Sequence, residues 1–336
     1  MISYFNSSYP VRYLIVFIIA CIIWIPSFIS PQFLFDQISV INFFNPNIEF
    51  IRSNSRYFIW VSFIFTVISA VAINQILKEY DLVNINNTTA LIIFILFTSA
   101  IPIFTSVNPY FLLNLILILF IQGVLKLSLI ENPASVVFNA SFYLGIASLF
   151  FSPLIFLIII VWISLRMNMR TDIRNFVISI IGLLLPYLFI FTWFFWNDTL
   201  IENANRILMN LSGFHLNIQY WELGVFDIIM LLFSLLLIVF SVLKVINKLG
   251  EKSNYTRRNT LIILYFIGLL AIIIILFSGD SLALLLLALP ATIIVSIALN
   301  AIEKKKWLNT FFIIFTLLII LYHYTDYFNV KEILFE

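Results

Sequence analysis

The side chains able to do chemistry stand at the ends of apolar segments, in two clusters and two isolated positions. Asp36, Glu49, Arg52 and Arg56 fall within 21 residues of one another, and Asp198, Glu202, Arg206, His215 and Glu222 within 25. His323 and Asp326 close the last apolar segment, and Asp280 occupies a tight turn. A guanidinium matches phosphate oxygens with paired donors, so Arg52, Arg56 and Arg206 together would clamp a lipid phosphate. Asp36 would then act as general base toward an acceptor hydroxyl. The plainer account is that these groups solvate loop ends, and it covers most of them. Cys21 is the only cysteine, which leaves no thiol for an intrachain disulfide or a thiolate metal site and makes it an apolar filler. No glycine-rich nucleotide loop, metal cluster or catalytic triad stands out, so neither cofactor nor metal is expected.

These groups are positioned by an extremely apolar chain. Of 336 residues, 63% are hydrophobic and 10% charged, with a net charge of +2, and the mean hydropathy is +1.11. A soluble domain carries about 25% charged residues and so could not be wetted at this composition. Nucleic acid is excluded as a partner, because no basic stripe interleaved with aromatics exists outside the loops. At about 20 apolar residues per crossing, eleven segments qualify as spans: 12–30, 57–77, 88–105, 108–130, 134–149, 151–165, 174–196, 224–247, 259–278, 281–300 and 307–325. The fold class expected is therefore all-α, a single polytopic transmembrane bundle over residues 1–336. Residues 134–165 are either two tilted spans or a hairpin that dips in and returns. The first segment is too long for a signal-peptide core and lacks a small-residue cleavage site, so it reads as a retained span.

Orientation follows from the cations. With the N-terminus in the cytoplasm, 14 of the 18 Lys and Arg residues fall on the inner side, and only Arg52, Arg56, Arg206 and Lys331 outside. Of the 16 acidic residues, 10 fall outside. The expected topology is N-in, C-out, in a bacterial inner membrane. Two outer connections have useful length. Residues 31–56 and 197–223 each show an apolar side at helical spacing, and both read as helices lying in the interface or as a lid.

No span carries a charge at its centre. The polar residues there are the neutral Asn74, Gln75, Asn114, Gln122 and Asn139, with Asn300 near an end. Coupled transport needs ionisable groups along its path, so a transporter ranks third among the functions considered. The buried amides are expected to tie helix to helix. Ser141, Gly145, Ala147 and Ser148 form a small-residue face suited to close packing, and Pro102, Pro153, Pro186 and Pro290 are expected to kink or end helices.

Three stretches carry a resemblance: FNASFYLGIASLFFSPLIFLIIIVWISLR at 138–166, ISIIGLLLPYLFIFTWFFW at 178–196, and the opening MISYFNSSYPVRYLIVFIIACIIWIPSF. Together they resemble an uncharacterised family of polytopic inner-membrane proteins from Bacteroidota, a domain of unknown function. A more distant likeness is to C-type (GT-C) glycosyltransferases, which take sugars from polyprenyl phosphate at the outer face. That likeness implies a catalytic acid in the first outer loop, a role Asp36 would inherit, although Gln37 rather than a second acid stands beside it. The function expected first is a non-catalytic scaffold or accessory subunit of an envelope complex, touching membrane lipids and other envelope membrane proteins. The alternative is a polyprenyl-phosphate-sugar-dependent glycosyltransferase.

Overall fold

The computed structural model of the chain describes residues 11–32, 48–84, 87–212, 223–278, 280–302 and 306–327. Among them the α-helices are α1 (Val11–Ile29), α2 (Ile48–Ser53), α3 (Ser55–Glu79), α4 (Thr89–Thr98), α5 (Tyr110–Lys126), α6 (Ala134–Phe150), α7 (Ile158–Met167), α8 (Ile173–Trp196), α9 (Leu200–Ser212), α10 (Val225–Asn247), α11 (Asn254–Phe277), α12 (Ala288–Asn300) and α13 (Lys306–Tyr327). Four 3-10 segments stand between them at joints: Pro102–Thr105, Ser152–Leu157, Leu249–Glu251 and Ser281–Leu287. No strand occurs among the described residues. In apolar surroundings a helix satisfies every backbone group internally, which is why apolar runs of this length fold this way.

Among the described residues, six helices are long and apolar enough to cross a membrane: α1, α3, α8, α10, α11 and the unit Ser281–Asn300. Thr89–Thr98, Tyr110–Lys126, Ala134–Phe150, Ser152–Met167 and Thr310–Thr325 are shorter apolar helices. The segment expected at 88–105 is the one most altered. Its α4 is 10 residues, about 15 Å, and it stops at Ser99 before Pro102 opens a 3-10 turn. Proline lacks the N–H and clashes with the preceding turn, so the helix cannot run on. Residues 134–165 fold as two consecutive arms, α6 and Ser152–Met167, each about 25 Å long by helical rise.

Depth follows composition. All ten residues of α4 and all of Ala288–Leu299 are buried. Their helices are apolar all round and belong inside. By contrast α8 and α10 present only 28% and 22% of their most apolar stretch to the rest of the bundle, leaving long apolar faces outward.

The small-residue face expected on the fifth segment packs closely, as read. A Cβ on Gly145 would sit 2.5 Å from the Leu183 carbonyl oxygen and 2.9 Å from Pro186 Cγ, and one on Gly182 would sit 2.7 Å from the Phe138 oxygen. Helices α6 and α8 therefore touch backbone to backbone. The Tyr187 hydroxyl then donates across the seam to Ser148 Oγ at 2.9 Å. Pro186 stays inside α8 with its ring against Gly145.

Three helices end in left-handed residues that are not glycine. Asp81, Met169 and Asp198 have φ of 52°, 56° and 56°. Each closes a Schellman motif after α3, α7 or α8. Leu82 N donates to Leu77 O, Arg170 N to Leu165 O, and Thr199 N to Phe194 O.

Residues 197–223 contain a helix, α9, with Ile207 buried against Leu149, Tyr187 and Phe194. Leu208, grouped with it by spacing, is exposed. In the first long connection Ile48–Ser53 is helical, and residues 33–47 lie outside the described residues.

Candidate functional site

Polar side chains inside the bundle gather at two opposite ends. At one end meet the end of α4, the Pro102–Thr105 turn, the starts of α5 and α10, the Ser281–Leu287 turn, and the ends of α1 and α13. The run TSAIPIFTSVNPY at 98–110 supplies much of it. Trp24 Nε1 donates to Ser99 Oγ at 3.1 Å, and the buried His323 ring bonds through Nε2 to the Ser99 carbonyl oxygen at 3.0 Å. Ser27 and Thr105 share a hydroxyl hydrogen bond of 2.7 Å. Asn114 Nδ2 donates to the Leu285 carbonyl at 3.1 Å, the helix-to-helix role expected of a buried amide. Asp227 caps α10 by accepting from Gly224 N at 2.8 Å, and its other oxygen accepts from the Tyr322 hydroxyl at 2.7 Å. Tyr110 is fully buried within the same end. Asp280 stands there half-buried at the start of the Ser281–Leu287 turn, with its Oδ2 atom turned inward.

The other end holds Lys248, Lys252 and Arg258. Arg258 Nη1 reaches the Met167 carbonyl at 3.4 Å, and Lys248 Nζ the Ala301 carbonyl at 2.9 Å. Ser164 Oγ donates to Val124 O, beside Lys126, and Tyr80 Oη to Gln122 O. Lys252 Nζ donates to Thr260 Oγ1 at 3.2 Å. Burial pushes the Lys252 amine down to about 8, because water is withdrawn from the charged form. Next to it in α11, Asn259 is fully buried, and its amide has no partner among the described residues.

The residues singled out in the sequence fall elsewhere. Asp36 lies outside the described residues. Arg52 and Arg56 are exposed and share the corner where α2 turns into α3. Arg206 is on α9, its side chain outside the described set, and α9 packs against α8 and the Ser152–Leu157 turn. Arg52 and Arg56 thus share one corner, while Arg206 is carried by a helix seated on other elements. What the sequence reading missed is the joining of Ser99, Trp24, His323, Tyr322 and Asp227. The polar run at 98–110 between two apolar segments was the available signal.

Two apolar grooves open on the bundle surface. One, of about 330 Å³, lies between α10, α12 and the end of α4, lined by Phe97, Phe104, Leu231, Leu235, Leu287 and Ala291 among others. The second, about 630 Å³ and shallower, runs along α8 to the start of α9 past Ile181, Leu184, Leu188 and Phe191. No group of three or more potential metal ligands occurs among the described residues.

An all-helical bundle with long apolar helices and charged groups at their ends defines a polytopic helical membrane protein. The chain belongs to a family of unknown function, DUF6427, whose model matches residues 28–332. No curated protein and no solved structure matches it.

Proposed function

We propose that the chain is an eleven-span protein of a bacterial inner membrane, N-terminus inside, that serves as a non-catalytic accessory subunit of an envelope assembly. The observation that carries this reading is the apolar groove along α8, whose Leu184, Leu188 and Phe195 are more than half exposed. A groove of that length on a helix face suits a partner's transmembrane helix. The polar groups support it too, since Asp227, His323, Ser148 and Asn114 bond helix to helix rather than converging on a reactive centre. The topology is supported by the two ends, with Lys248, Lys252 and Arg258 at one and Asp227 and Asp280 at the other. A photo-crosslinking residue at Leu188 should trap one membrane partner in stoichiometric yield, and the same residue at Leu236 of α10 should not. Only self-adducts or scattered lipid adducts from Leu188 would remove the reading. Cysteine labelling at Met209 from outside intact cells, without labelling at Lys252, tests the orientation.

A second reading is a transferase taking sugar from polyprenyl phosphate at the outer face, with Asp36 as base and Arg52, Arg56 and Arg206 as clamp. Its one support is the exposure of Arg52 and Arg56 at a shared corner. Asp36→Asn with unchanged turnover of polyprenyl-linked sugar would discard it.

A further inference from the structure

The groove between α10 and α12 differs from the one on α8 in having a polar rim of definite chemistry. Its walls are apolar except for Ser234, and that hydroxyl is occupied by the Leu231 carbonyl at 2.7 Å. A dry apolar cavity of about 150 Å³ accepts benzene, so about 330 Å³ accepts roughly a dozen carbons of a chain. Leu231 and Ser234 line the groove, and Asp227, four residues before Leu231 and so on the same face of α10, is half-buried with its oxygens held by Gly224 N and the Tyr322 hydroxyl. Beside the carboxylate the Phe226 and Tyr322 rings lie 5.9 Å apart, with Phe226 half exposed.

The charge around this rim is one-sided. The stretches 79–125, 207–243, 259–303 and 307–330, which supply every wall of the groove and all of the Tyr322 helix after its first residue, Lys306, contain no Lys or Arg. His323, next to Tyr322, is buried and bonded to Ser99. Asp280 adds a second carboxylate at the same end of the bundle. A carboxylate flanked by two aromatic rings, with only neutral donors on it, is the chemistry that receives an ammonium group. A phosphate or glycerol head gains nothing there.

We propose that this groove binds one hydrocarbon chain of an amino-lipid, whose ammonium head group sits against Asp227 between Phe226 and Tyr322. This is independent of the accessory-subunit reading and concerns a different face. Either can fail alone.

The test is native mass spectrometry of the delipidated full chain, exposed to phosphatidylethanolamine or phosphatidylglycerol with identical acyl chains. Wild type should retain one phosphatidylethanolamine at least tenfold more strongly than phosphatidylglycerol. Asp227→Asn should abolish that preference and leave weak retention of both. Ala291→Phe should fill the groove and remove retention of both. If Ala291→Phe does not fold, Leu231→Trp blocks the same space from the α10 side. Equal retention of the two lipids by wild type, or a preference that survives Asp227→Asn or the blocked groove, would overturn the proposal.

Discussion

Replacing Gly145 by alanine tests the central packing claim. A single added methyl would stand 2.5 Å from the Leu183 carbonyl oxygen and 2.9 Å from Pro186 Cγ. Ordinary contact begins nearer 3.5 Å, so α6 and α8 must part by roughly 1 Å. The first obstacle is backbone, which cannot swing aside as a side chain can. Parting also stretches the 2.9 Å bond from Tyr187 to Ser148 and loosens Gly182 against the Phe138 carbonyl. Overpacking of this kind costs about 1–3 kcal/mol, and a backbone clash belongs at the upper end. Against it stands a gain of about 1 kcal/mol from replacing glycine within a helix. The net expectation is a loss of about 2 kcal/mol. Gly268, within α11, provides the matched control, since nothing lies within 4 Å of the position its Cβ would take. Gly268→Ala should keep the whole helical gain, about 1 kcal/mol. The two variants should thus differ by about 3 kcal/mol, read as the shift in a reversible unfolding titration in mixed micelles. Equal stability of the two, or a Gly145→Ala protein at least as stable as wild type, would refute backbone contact between α6 and α8.

Three further outcomes are expected. Met169 is 91% exposed and holds φ of 56° at the end of α7. Met169→Gly should stabilise by about 1 kcal/mol in the same titration, because a left-handed non-glycine residue is strained by about that amount. Asn259→Leu should stabilise by about 1–3 kcal/mol if its buried amide is unbonded as found; a loss would show that a water or ligand meets the amide. Lys252 should be acylated ahead of Lys248 at pH 8, where roughly half of its amines are neutral against about one in 300 for an ordinary lysine. Its folded value lies below the ordinary 10.5, so the unfolded chain binds more protons between about pH 8 and 10.5. Stability should rise with pH through that window, and Lys252→Met should flatten the rise.

The apolar segments and their limits were legible because a membrane-type helix is specified locally, residue by residue, through hydropathy and proline. The segment expected at 174–196 is α8 at Ile173–Trp196, and that at 224–247 is α10 at Val225–Asn247. Close packing at Ser141 and Gly145 was legible for the same reason, since small residues four apart share one face. The break of 88–105 at Ser99 was only partly so: Pro102 marks it, but how far a helix stops before a proline depends on what receives the freed backbone groups. Asp280, expected to be solvated in a tight turn, is half-buried with its Oδ2 atom turned inward.

What the sequence by itself determined is the kind of element and the approximate extent of most of the apolar segments, because each depends on neighbours within a turn or two. What only the tertiary structure decided is which distant groups meet: Trp24 and His323 on Ser99, Tyr322 on Asp227, Asn114 on Leu285. These pairings join residues from 75 to 224 positions apart. In helices apolar on nearly every side, periodicity does not say which face turns inward. Only the fit of one helix against the next, at places such as Gly145 and Gly182, makes that choice.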